Sequence, residues 1–147
     1  MGDPSFDAYK QMAREVALWR EREGREAPYV DIVMQAPELF HLLTQLCLDN
    51  AVAAPDRARL LGAIIYFVAP VDLVPERLAG AAGYVDDVAL AAYVIQGVAD
   101  HVGADIVGAH WSGEGNIMAL VVDLQSRAET VLGREVWQQI KQKADSW

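Results

Sequence analysis

The chain has 147 residues, 21 acidic against 12 basic side chains, a net charge of −9 and 53% hydrophobic residues. That length suits one domain, 1–147, with a core large enough to need no disulfide, and the single cysteine, Cys47, excludes an internal one. The acidity disfavours nucleic acid and anionic membrane surfaces as partners. MGDPSFDAYK lacks a signal-peptide pattern and no apolar run reaches the roughly 18 residues of a membrane span, so a cytoplasmic location is expected.

Strand-like alternation is sustained nowhere, whereas helical spacing recurs. The first predicted helix covers 3–23, with Asp3 as N-cap, Pro4 at the first helical position and Gly24 as the stop. Phe6, Tyr9, Ala13, Val16 and Ala17 share its apolar face. APYVDIVMQA is short and ambiguous. Pro37 opens an amphipathic helix bearing Leu39, Leu42, Leu43 and Leu46, and Pro55 opens another that runs to about Val68. Residues 86–102 form a helix apolar nearly all round, with Val88, Ala91, Ala92, Ile95, Val98, Ala99 and Val102 on one stripe and Leu90 and Val94 beside it. ADIVGAHWSGEGN reads as a glycine-rich loop with room for one helical turn. Two further helices close the chain over about 115–146, the first carrying Ile117, Leu120, Val121, Leu124 and Val131, the second Val136, Trp137 and Ile140. The expectation is an all-α bundle of about six helices, in which two hydrophobic helices, 56–68 and 86–102, are central.

The segment joining those two helices, YFVAPVDLVPERLAGAAGYVDD, carries four carboxylates among apolar neighbours. Pro70 and Pro75 force Ala69 and Val74 toward extended backbone, so the preceding helix must end near Val68. Asp86 is placed to cap the next helix, Asp87 lies in its first turn, and Val85 and Leu90 fit a hydrophobic staple. Asp72 suits a turn. The alternative is that Asp72, Glu76, Asp86 and Asp87 converge and hold Mg²⁺ or Ca²⁺, or keep one carboxyl protonated beside an ionised partner. No EF-hand or His/Cys zinc spacing is present.

Tyr66, Pro70, Asp72, Leu73, Val74, Pro75, Glu76, Gly83, Tyr84, Asp86 and Asp87 stand in an order that closely resembles the signature of the YkvA-like family, a bacterial domain of unknown function. The resemblance covers about residues 60–98, within a core of about 37–103. It implies a small helical domain and supplies no activity, substrate or cofactor. Glu76 stands where an aspartate is frequent in that family.

Elsewhere, His101 and Asp105 lie four apart but are separated by Gly103, and His41 falls off the leucine stripe toward solvent. His110 would join a His–carboxylate site only if distant segments met. Cys47 reads as a structural thiol with no base near it in sequence. Ser112 lacks the context of a nucleophile elbow. Trp137 is expected in the core, and the terminal Trp147 exposed. Together these features point to a non-catalytic module that binds another protein or itself, with no cofactor. The alternatives are a metal-dependent or acid–base enzyme at the hinge carboxylates and, less favoured, a peripheral membrane module.

Overall fold

The structure, a computed structural model, describes residues 4–23, 30–68 and 84–147. The described residues form helices and connections with no strand. In chain order the helices are α1 (Pro4–Glu23), α2 (Val30–Val33), α3 (Ala36–Cys47), α4 (Ala54–Val68), α5 (Tyr84–Val102), α6 (Ala104–His110), α7 (Ile117–Leu132) and α8 (Arg134–Asp145). The six longer ones are the helices that the apolar spacing predicts. The short α2 resolves the ambiguous APYVDIVMQA stretch, and α6 replaces most of the expected glycine-rich loop. Asp3, the expected cap of α1, and its expected stop Gly24 lie outside the described residues.

Local chemistry explains the boundaries. Asn116 caps α7, its side chain accepting from the backbone N–H of Met118 at 2.9 Å and of Ala119 at 3.1 Å. Gly133, at φ 90°, ends α7 and starts α8 in a conformation that a side chain would strain. Gly103, at φ 97°, breaks α5 from α6 in the same way. This is why the period of apolar residues restarts at Ile106 and Val107.

α5 is the axis of the molecule, packing against α2, α3, α4, α6, α7 and α8. Its residues Val85 to Ala92 are all buried, as are Val94, Ile95, Val98 and Ala99. Each fully buried Leu or Ile there contributes roughly 1.5–3 kcal/mol by leaving water. The leucines of α3 and Met12 and Val16 of α1 close one side; Val121 and Leu124 of α7 and Trp137 and Ile140 of α8 close another. Phe40 of α3 meets Phe67 of α4 edge-on, with centroids 5.5 Å apart.

α4 is less central than its composition implies. It packs against α3, α5 and α8 through Leu60, Ala63, Tyr66 and Phe67, while its opposite face is open. α4 and α5 run antiparallel: Tyr66 near the end of α4 meets Asp86 at the start of α5, and Asp56 at the start of α4 meets His101 near the end of α5. Trp147 departs from expectation in the opposite sense. It is half-buried against α4, where a Cβ on Gly62 would collide with the indole ring. Absence of a side chain at Gly62 therefore creates the seat for that indole.

Candidate functional site

The best-built polar feature lies where α4 ends and α5 begins. Tyr66 sits on the buried face of α4, and its hydroxyl donates to Asp86 Oδ2 at 2.7 Å. Asp86 is 1% exposed and Tyr66 3%. A buried carboxylate is tolerated when it accepts hydrogen bonds, and the first turn of a helix favours its negative charge. The ammonium of Lys143, on α8, lies 5.9 Å from the centre of the Tyr66 ring.

Asp86 is not the N-cap expected from the sequence. α5 begins at Tyr84, so Asp86 is already inside the first turn and points into the core at Tyr66. The staple fails for the same reason: Val85 and Leu90 are both helical and both buried. The carboxylate is thus engaged by a buried phenol from within the first turn of α5.

Asp87, next along α5, is also buried. Consecutive helical residues point about 100° apart, so Asp86 and Asp87 do not form a chelate by themselves. Asp72 and Glu76, the other two candidate ligands, lie outside the described residues, as do the motif residues Pro70, Pro75 and Gly83 and the extended residues Ala69 and Val74. Tyr84 opens α5. Among the described residues no group of three or more His, Cys, Asp or Glu side chains is gathered for a metal ion.

Three other polar clusters join segments far apart in the chain. Glu38 of α3 accepts from the Tyr9 hydroxyl at 2.7 Å and from the Ser112 hydroxyl at 2.6 Å. His41 Nδ1 lies 3.3 Å from Ser112 Oγ, and the imidazole tilts against the Tyr9 ring, so His41 is half-buried where the sequence placed it in solvent. With the Ser112 proton directed at Glu38, His41 Nδ1–H must donate to Oγ. That hydrogen-bond order ties α1, α3 and the loop after α6 together and leaves His41 unable to take the serine's proton at Nδ1, unlike a nucleophile–base pair. The Tyr9 hydroxyl holds its proton more tightly than usual: the hydrogen bond to Glu38, then burial, then the Glu38 charge push its pKa up.

At the opposite end of α4, the buried Asp56 (2% exposed) places both oxygens 2.9 Å from His101 Nδ1. His101 therefore pairs with Asp56 and not with Asp105. His110 Nε2 lies 2.7 Å from Asp49 Oδ2, and Arg57 donates to the backbone carbonyls of Cys47, Asp49 and Val52. These contacts fasten the α3–α4 connection onto α4 and α6, and the start of α4 onto α5. Cys47 is half-buried, and burial raises its thiol pKa despite the opposing charge of Arg57, which suits a structural thiol. Sequence reasoning missed these pairings because each joins residues with no local spacing in common; a carboxylate at a predicted helix start and a histidine at a predicted helix end were the only signals for Asp56 and His101.

A model for "Protein of unknown function (DUF1232)" matches residues 56–93, which run from Asp56 through Tyr66, Asp86 and Asp87 to Tyr93. The chain is 30% identical over 105 residues to "Uncharacterized protein ORF9" of Methanothermobacter thermautotrophicus, covering 71% of this chain and 72% of that protein. No solved structure matches. The chain belongs to the family of proteins of unknown function described as DUF1232.

Proposed function

We propose that the protein is a non-catalytic helical module that associates with a second copy of itself through the open face of α4. The observation that carries this reading is the composition of that face. Ala54, Ala58, Leu61, Ile65 and Val68 are all exposed, and they are separated by four, three, four and three residues. That is the a/d seam of a coiled-coil helix, displayed to solvent along all of α4. Leu61 is 46% exposed and Ile65 and Val68 are each 59% exposed, large values for branched aliphatic side chains on one stripe.

The seam is also graded, from alanine at its start to branched residues at its end. In an antiparallel two-fold pair, Ala54 and Ala58 of one copy would face Val68 and Ile65 of the other, with the two Leu61 side chains at the axis. Small then opposes large on either side of the axis, which supports a self-complementary contact. Sedimentation across a concentration series tests the reading. A reversible dimer that Ile65→Glu converts to a monomer, with unchanged helical circular dichroism, is the expected result. A wild-type chain that stays monomeric throughout, or an Ile65→Glu dimer of undiminished stability, would overturn it.

A second reading has one specific observation in its favour, the consecutive buried carboxylates Asp86 and Asp87, of which Asp86 accepts from the Tyr66 hydroxyl. In that reading Asp72, Glu76, Asp86 and Asp87 together hold Mg²⁺ or Ca²⁺ or manage a proton. Calorimetry with Mg²⁺, Ca²⁺ and Mn²⁺ tests the metal form, and absence of heat removes it. The YkvA-like relationship is the finer form of the family assignment and rests on the hinge motif. A cytoplasmic location is supported by the acidity and the single cysteine. No helix among the described residues is long and apolar enough to cross a membrane, and peripheral attachment through the α4 face is tested by vesicle flotation.

A further inference from the structure

Arg59 has no partner for its charge. It projects from α4 and is only partly exposed, yet its guanidinium makes no hydrogen bond or ion pair with the described residues, and its Nε is fully buried and unsatisfied. Guanidinium groups carry five donors, and a buried donor without an acceptor is rare enough to need a reason. Arg59 lines a groove of about 170 Å³ between α4, α5, α7 and α8. Cavities of about 150 Å³ admit a benzene-sized molecule, so this one accommodates a ligand of similar size.

The rest of the lining supplies acceptors. Asp100 and Asp145 are the groove's two carboxylates, and Gln96 and Gln125 contribute amides. Gln96 donates to Asp100 Oδ1 at 3.2 Å and Gln125 donates to the Val121 carbonyl at 3.3 Å, which leaves both amide oxygens and Asp100 Oδ2 unused by the described residues. Tyr93 donates to Asp145 Oδ1 at 2.8 Å, fixing that carboxylate and leaving Oδ2 open. A simple anion would satisfy Arg59 but meet two negative charges. A ligand with a carboxylate at one end and an ammonium at the other satisfies both sides.

Gly97 is an independent observation on the same groove. It lies in the interior of α5, where glycine is unfavourable, and a Cβ there would meet nothing within 4 Å. Packing against the protein does not require a glycine at that position. The open space beside Gly97 belongs to the groove, and a side chain there would narrow it.

We propose that this groove binds a small zwitterion of the α-amino-acid type, its carboxylate on Arg59 and its ammonium held by Asp100, Asp145 and the glutamine amide oxygens. The site is separate from the outward seam of α4 and stands whether or not the chain dimerises. Titration of ¹⁵N-labelled full-length protein with glycine, alanine, serine and leucine tests it, with propionate and ethylamine as single-charge controls. At least one amino acid should give saturable shifts at Gly97, the Gln125 amide and Arg59 Nε–H, with at least tenfold tighter binding than propionate. Arg59→Met should weaken that binding at least tenfold. Gly97→Leu, which favours the helix, should abolish it while the remaining spectrum stays folded. The proposal is overturned if no amino acid in the set saturates, if propionate binds as tightly, or if Gly97→Leu binds like the wild type; this last variant decides the matter should Arg59→Met fail to fold.

Discussion

Tyr66 and Asp86, 20 residues apart in the chain, are joined by a buried 2.7 Å hydrogen bond that pins the end of α4 to the start of α5. The bond replaces the surface cap that the sequence suggests for Asp86. Both groups are in the core, so loss of either removes a hydrogen bond that water is poorly placed to replace.

Tyr66→Phe removes one hydrogen bond to a buried carboxylate and should destabilise the fold by about 1–3 kcal/mol. Asp86→Ala should exceed the roughly 1 kcal/mol expected of a lost cap. Urea unfolding of both variants and of the pair checks this, and the double-mutant cycle should show coupling above about 0.5 kcal/mol.

Asn116→Ala isolates true capping. Its side chain serves two backbone donors of α7 at the surface, so the loss should be about 1 kcal/mol with no change in the rest of the structure. Thermal unfolding measures it, and a change smaller than that of Tyr66→Phe is expected.

Asp49 gives a pH prediction. Its carboxyl is held below its ordinary pKa first by the hydrogen bond with His110, then by the backbone N–H of Ala51, against a smaller opposing effect of burial. A depressed folded-state pKa contributes stability that is present above the unfolded value and is lost as pH falls through the folded one. His110→Ala should raise the Asp49 pKa toward the ordinary value and flatten the acid limb of stability below it. Carboxyl ¹³C shifts of Asp49 against pH, with urea midpoints over the same range, check both statements.

Gly62→Ala should displace Trp147. The added methyl occupies the position of the indole ring, and the end of the chain is the part free to yield. The helix gains about 0.8–1 kcal/mol of propensity while the indole contact is lost, so net stability should change by less than about 1 kcal/mol. The diagnostic readout is the Trp147 indole N–H resonance, which should move to a solvent-exposed position.

Much of the architecture was legible because helices are local. Leu39, Leu42, Leu43 and Leu46 repeat at helical spacing and are all buried; so do Val88, Ala91, Ala92, Ile95 and Val98. The composition of α4 was misleading for a physical reason. Apolar residues occupy both of its sides, and periodicity does not tell which side meets the protein and which, bearing Leu61, Ile65 and Val68, meets solvent. The short α6 was hidden by glycines at 103 and 108, of which only Gly103 interrupts the helix.

The candidate site was legible in part. Asp86 and Asp87 stand out by their pairing between apolar segments, and both are buried at the start of α5. Their identity as carboxylates did not reveal that one of them faces Tyr66. Arg59 is one of two arginines in the first turns of α4, and nothing in its sequence neighbours marks it as unpartnered.

The sequence by itself determined where the helices run, which face of α5 is buried and that the hinge concentrates carboxylates, since backbone periodicity and proline and glycine act over a few residues. Only the tertiary structure decided that Ser112 reaches Glu38 across 74 residues, that His101 turns to Asp56, that Trp147 lies on Gly62 and that Arg59 opens on a groove. Those pairings depend on how the helices cross and which ends they share, and that is fixed by the packing of whole faces against one another.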